Sequence, residues 1–142
     1  MSRLVAGFGC RRGCSVEELG ALLDQTLHAN SLDRGQLVGI ASLDRKADEP
    51  GLVRLAAQLR VPFYTFSATE LLVHDPLLSH RSDTSFAHTG CYGVAESTAL
   101  ALAEELGASS PRLLVNRQLA PGATLALACS EGTCPQRATP PD

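Results

Sequence analysis

The residues best suited to chemistry in this chain stand in two glycine-bearing loops, Gly7–Gly13 and Thr89–Glu96. The first reads Gly7-Phe8-Gly9-Cys10-Arg11-Arg12-Gly13 and runs into Ser15. Glycines let a backbone approach a ligand closely, and free N–H groups at the start of a helix favour an anion. Arg11 and Arg12 can add bidentate contacts to a carboxylate or phosphate. A tight turn carrying two solvated arginines has the same composition. The second loop, Thr89-Gly90-Cys91-Tyr92-Gly93-Val94-Ala95-Glu96, opens another helix, with Glu96 in its first turn. There the carboxylate either stabilises the helix dipole or faces a ligand. Between the two lies Asp44–Leu52, in which Lys46 stands close to Glu49. A lysine beside carboxylates binds an acidic ligand or shares in proton transfer; a solvated charged loop looks alike in sequence.

Other motifs are weaker. The spacing of Gly7, Gly9 and Gly13 is not the dinucleotide pattern, and no Walker lysine follows, which disfavours a nucleotide- or flavin-binding module. Cys10 and Cys14 are four apart, but no Cys/His pair of suitable spacing completes a zinc site, so small buried thiols are expected rather than metal ligands. His74, His80 and His88 have no identifiable triad partner, and neither a G-x-S-x-G elbow nor an H-E-x-x-H helix occurs.

The elements that must position these residues follow from hydrophobic spacing. Leu4–Phe8 is a short apolar strand feeding the first loop. Ser15 and Glu18 form a capping box ahead of Val16, Leu19, Leu22, Leu23 and Leu27, a helical stripe. Leu37–Ala41 is a second strand, Ser42–Pro50 a polar loop, and Leu52–Leu59 a second helix. Val61–Phe66 is a third strand, with Pro62 tolerated only at its start. Ser67 and Glu70 cap a short helix, and Val73–Thr89 reads as a long irregular loop, usually functional or mobile. Ala95, Thr98, Ala99, Leu102 and Leu106 mark a third long helix, rich in small residues. Leu113–Val115 is a fourth strand; Pro121-Gly122 turns the chain into a fifth, Ala123–Ala128, antiparallel to the fourth. Strands alternating with helices imply a three-layer α/β/α domain with a mostly parallel, mixed sheet of about five strands. One domain over residues 1–129 is expected, with a frayed tail over 130–142 that carries three prolines.

Bulk composition narrows the function. At 142 residues, 44% hydrophobic and 19% charged, the chain is sized for one globular domain. Aromatics at 4%, net charge −3 and the lack of a dense Lys/Arg run argue against nucleic acid as a partner. The apolar stretch at the amino end is too short for a signal peptide or a membrane span. With five cysteines, an odd number, and no export signal, reduced thiols and a cytoplasmic location are expected.

Taken in order, the motifs resemble a known family. Gly7-Phe8-Gly9-Cys10-Arg11-Arg12-Gly13, then Ile40-Ala41-Ser42 leading to Lys46-x-x-Glu49-x-Gly51-Leu52, are similar to the cobalamin-biosynthesis family of CobE and the C-terminal domain of CbiG. Phe66-Ser67-x-x-Glu70-Leu71, Gly90-x-x-Gly93-Val94-Ala95-Glu96 and Thr124-x-Ala126-x-Ala128 extend the resemblance from Leu4 to Ala128. Asn116-Arg117, after the fourth strand, departs from it: a lysine is expected there, and the charge at this edge is kept only if Arg117 substitutes. The resemblance implies work on corrin-ring intermediates of vitamin B12 synthesis. CbiG proteins open a cobalt-precorrin lactone and release acetaldehyde, but carry an additional N-terminal domain; this chain is similar to the stand-alone form of the aerobic route. A precorrin sets several carboxylates around an apolar macrocycle, which suits Arg11, Arg12, Lys46 and helix-start N–H groups.

The leading expectation is therefore an accessory or carrier protein that binds a corrinoid or precorrin intermediate, with other cobalamin-pathway enzymes as further partners and no bound cofactor or metal. The alternative is a precorrin-modifying, lactone hydrolase-like enzyme using Glu49 or Glu96 as acid/base and Lys46 as electrostatic partner. The candidate ligand-binding residues are Gly7, Gly9, Cys10, Arg11, Arg12, Gly13, Ser15, Lys46, Glu49, Gly90, Gly93 and Glu96. One cleft at the carboxyl edge of the sheet is expected, shared by the Gly9–Ser15 loop, the Ser42–Glu49 loop and the Thr89–Glu96 helix entrance, with two helix N-termini aimed into it. The last of the three reaches it if the long loop from Val73 crosses over.

Overall fold

The computed structural model describes residues 3–107 and 110–130. Its five strands are β1 (Leu4–Cys10), β2 (Leu37–Leu43), β3 (Phe63–Phe66), β4 (Pro111–Ala120) and β5 (Ala123–Ser130), and they form one sheet in the order β3-β2-β1-β5-β4. β1 pairs with β2, and β2 with β3, in parallel; β5 lies antiparallel to both β1 and β4. β5 is thus the one reversed strand. The mixed, mostly parallel sheet agrees with the alternation of elements in the sequence.

Strand alternation sorts side chains to two faces. Leu4, Ala6 and Phe8 of β1, with Leu125 and Leu127 of β5, join one core cluster with α1 (Val16–Ala29) and α2 (Pro50–Leu59). Val5, Ala41, Ala126 and Ala128 face the other way, onto α5 (Val94–Leu106). That second face is nearly all small residues, so α5 lies close against the sheet. A Cβ on Gly7 would stand 2.1 Å from the Ala95 carbonyl oxygen. α5 is buried without interruption from Ala95 to Ala103, as expected of a helix covered on all sides.

Local chemistry sets the boundaries. Ser15 caps α1 by accepting from the Glu18 N–H at 3.1 Å. The reciprocal half of the expected capping box is replaced, because Glu18 Oε2 accepts from the Gly122 N–H at 2.6 Å and ties α1 to the β4–β5 turn. At Ser67 the box is complete and starts α3 (Ala68–Leu71). β3 begins at Phe63, not Val61, since Arg60 turns left-handed (φ 58°) and Pro62 has no N–H to pair. β4 is longer than expected, so Asn116 and Arg117 lie within it rather than after it. The stretch expected to be irregular is partly helical: a 3-10 turn at Leu72–Leu77, then α4 (Asp83–Thr89), capped by Ser82 and stopped at Gly90 with φ 76°. Of the expected tail, Ser130 ends β5, and the remainder lies outside the described residues. Among the described residues no helix is long and apolar enough to cross a membrane.

Candidate functional site

Beyond the carboxyl ends of β1 and β2 the sheet opens into a cavity of about 230 Å3. Gly9 and Cys10 of β1, Ser42 and Leu43 of β2 and Thr124 of β5 supply the sheet side. Arg45 and Lys46, in the 3-10 turn Asp44–Lys46, flank it on one side, and Gly93, Val94 and Ala95 on another. Ser85 and Thr89 of α4, Tyr92, and Arg117 of β4 complete the lining. Apolar surface is thus bordered by three cationic residues. The N-cap of α5 is Gly93, which has no side chain to cap the helix, so the positive end of the α5 dipole adds to that charge.

The segment that crosses over from β3 to α5 is pinned at the cavity. Arg45 Nη1 donates to the His88 carbonyl oxygen at 2.8 Å, joining the β2 side to the end of α4. Phe86 stacks on Tyr92 with ring centroids 4.5 Å apart, and the Arg81 guanidinium stands 6.0 Å from the Tyr92 centroid. Ser42 is fully buried, and its hydroxyl donates to the Phe8 carbonyl at 2.7 Å, fixing β2 to β1 beneath the cavity.

The two candidate carboxylates are engaged inside the protein. Glu49, 6% exposed, accepts from the Gly13 N–H at 3.0 Å and stands 3.7 Å from Lys46 Nζ. Glu96, 1% exposed, accepts from the Ser79 N–H at 2.8 Å, from the Ser79 hydroxyl and from the Arg117 N–H at 2.9 Å. Burial pushes the Cys10 thiol from 9.0 up to about 11, with Lys46 pulling the other way. Burial also raises Cys14, as do Glu18 and Glu49 nearby. Near neutral pH Cys10 is therefore a protonated thiol, a poor nucleophile. Cys14 and Cys91 are likewise free, whereas Cys129 is disulfide-bonded, against the expectation of reduced thiols throughout.

The cavity brings together Gly9, Cys10, Lys46 and Gly93 of the candidate residues. Arg11 lines an adjoining shallow cavity of about 260 Å3 that shares Gly9, Cys10 and Thr124 with the first. Arg12 is exposed. Gly13, Ser15 and Glu49 line a different cavity between the starts of α1 and α2. There the loop's anion is internal: the Glu49 carboxylate takes the Gly13 N–H that an outside ligand would need. Gly7 serves the β1–α5 contact, Gly90 ends α4, and Glu96 lies beneath the cavity edge. Of the two helix N-termini expected in the cleft, α5 reaches it and α1 does not. Arg45 and Tyr92 lie within the segments Asp44–Leu52 and Thr89–Glu96 but are not among the candidate residues, although each adjoins one. Thr124 sits opposite Gly9 across the β1–β5 pair, a relation visible only once the strand order is known.

Comparison with known proteins gives the family and agrees with the fold. Residues 4–128 match the family described as Cobalamin synthesis G C-terminus. The chain is 36% identical over 126 residues to Protein CobE from Sinorhizobium sp., covering 88% of this chain and 79% of that protein. It is 48% identical over 69 residues to the cobalt-precorrin-5A hydrolase of Salmonella typhimurium, a match to 49% of this chain and only 20% of the hydrolase. A crystal structure of CobE, a protein from the cobalamin (vitamin B12) biosynthetic pathway, superposes with a TM-score of 0.85 at 44% identity, covering 89% of each chain.

Proposed function

Since this chain belongs to the Cobalamin synthesis G C-terminus family and is a protein of cobalamin biosynthesis, we propose that it binds a corrinoid or precorrin intermediate as an accessory or carrier protein. The observation that carries this reading is the cavity itself: an apolar surface bordered by Arg45, Lys46 and Arg117 and by the uncapped start of α5. A macrocycle fringed with carboxylates presents the complementary pattern. Its flat apolar edge displaces water from Leu43, Val94 and Tyr92, while its acid arms reach the cations through charge-assisted hydrogen bonds. The cavity, at about 230 Å3, is smaller than the roughly 300–1,000 Å3 of sites that enclose a drug-sized ligand. It therefore takes one edge of the ring and leaves the rest outside, which suits a protein that passes its ligand to a pathway enzyme in the cytoplasm.

The test is an absorbance titration with dicyanocobyrinic acid, a corrin whose peripheral carboxylates are free, beside dicyanocobinamide, in which they are amides. The acid is expected to bind saturably, and more weakly as salt is raised. Lys46→Ala is expected to weaken it about tenfold or more, the worth of one charged hydrogen bond of roughly 1.5–3 kcal/mol. Absence of saturable binding by this acid and by every precorrin tried sinks the proposal.

A second reading, hydrolysis of a precorrin lactone, draws on the identity to the cobalt-precorrin-5A hydrolase. Its acid/base candidates are Glu49 and Glu96, and both carboxylates are occupied by internal donors away from the cavity lining. That geometry favours the carrier. Turnover of a precorrin by the purified protein, abolished by Glu49→Gln, would reverse the preference.

A further inference from the structure

The geometry points to Glu96 as a positioning residue that holds Arg117 at the cavity, with Arg117 as a contact for a ligand carboxylate; this rests on the corrinoid-binding reading above. On β4, Val115 pairs with Leu127 and Gln118 with Leu125, so Asn116 and Arg117 together stand opposite Ala126 alone. That is a β-bulge, which bends a strand and re-aims a side chain. At the bulge the Arg117 N–H donates to Glu96 Oε2 at 2.9 Å. The same carboxylate accepts from the backbone and hydroxyl of Ser79, in the segment that crosses the cavity.

Glu96 is fixed on the first turn of α5, directly after Gly93–Ala95 of the cavity lining. One buried side chain thus sets the distance between the α5 N-terminus and the bulge that carries Arg117. With three donors already on its two oxygens, Glu96 is ill placed to meet a ligand itself. Its effect on binding must pass through what it holds.

The experiment combines two readouts. In the ligand-free protein, Glu96→Gln turns one end of the side chain into a donor facing donors, and amide exchange at Arg117 and Ser79 is expected to speed up by tenfold or more. In titrations with dicyanocobyrinic acid, Arg117→Ala is expected to lose about tenfold in affinity, Glu96→Gln a similar factor, and the double variant no more than either alone. Deleting Asn116 removes the bulge while leaving Glu96 in place, and it must cause the same loss; it serves if Glu96→Gln does not fold. A loss from Glu96→Gln that is undiminished in the Arg117→Ala background overturns the inference, because Glu96 would then act on its own. So does unaltered binding by Arg117→Ala while the parent protein saturates, a result that leaves the carrier reading standing. If the parent protein binds no corrin, the carrier reading falls, and unchanged exchange at Arg117 in Glu96→Gln would remove the positioning role as well.

Discussion

Replacing Gly7 by alanine tests whether this glycine serves the packing of α5 rather than a ligand. A Cβ at this position would stand 2.1 Å from the Ala95 oxygen, 2.5 Å from the Ala99 nitrogen and 2.6 Å from Thr98 Oγ1. Favourable contact begins at roughly 3.5 Å, so the overlap exceeds about 1 Å against two backbone atoms that cannot rotate aside. α5 must move outward as a body, against β1 and its neighbours in the sheet. Overpacking a core costs typically about 1–3 kcal/mol when side chains can adjust. Here they cannot, and a loss of about 3 kcal/mol or more is expected, even after the ~0.4–1 kcal/mol that alanine gains by restricting the unfolded chain. At roughly 2.1 cal/mol/K per residue, the unfolding entropy of the chain is on the order of 0.3 kcal/mol/K, so Tm should fall by about 10 °C. Gly39→Ala is the control: its Cβ would meet only the tips of Leu102 and Tyr64, at 3.2 and 3.3 Å, and these can give way. Urea unfolding followed by circular dichroism gives both values. A Gly7→Ala cost within about 1 kcal/mol of the Gly39→Ala cost would refute the close-packing account.

Cys10, held up to about 11 from 9.0, should alkylate slowly at pH 8 and faster with each pH unit toward about 11. Because the unfolded thiol ionises first, stability should also decline as pH rises from about 9 to about 11, a decline that Cys10→Ser flattens. Arg45→Ala removes the bond to the His88 carbonyl and should raise amide exchange across α4 while moving Tm by less than about 2 °C, since the group is exposed. Ser42→Ala strips the Phe8 carbonyl of a buried donor and should cost about 1 kcal/mol, read in the same urea titration.

The parts of the fold that were legible in the sequence are those written in local spacing. The apolar run Leu4–Phe8, the helical stripe from Val16 to Leu27, and the small residues of Ala95–Ala103 each encode one element and the face it buries. Gly9, Cys10 and Lys46 could be assigned to one edge because loops after parallel strands emerge together, whereas Gly93 joins them only through the crossing of the segment after Val73. What local spacing cannot carry is the partner of a buried polar group. Nothing near Gly13 announces that Glu49, thirty-six positions on, takes its N–H; nothing near Glu96 announces the Arg117 N–H, twenty-one positions on. The carboxylates therefore looked like free chemistry. α4 escaped notice for a different reason: it is seven residues long, and its one large apolar side chain, Phe86, is exposed, so no periodic stripe marks it. Its signals are polar, Ser82 at the start and Gly90 at the end.

The bulge on β4 has a bearing on solubility as well as on binding. Both outer strands of a sheet offer unpaired N–H and C=O groups on which a foreign strand can add, the first step toward aggregation. β3 is only four residues long and follows a proline, so it makes a poor template. β4 is ten residues long and would be the vulnerable margin. Its register with β5 shifts between Leu113 and Val115 and again between Val115 and Gln118, and the Arg117 N–H is already claimed by Glu96. An incoming strand would find the repeat interrupted and a cation beside it. Deleting Asn116 removes the second of these shifts and would then leave a protein more prone to self-association, through the loss of an irregularity that also protects the sheet's margin.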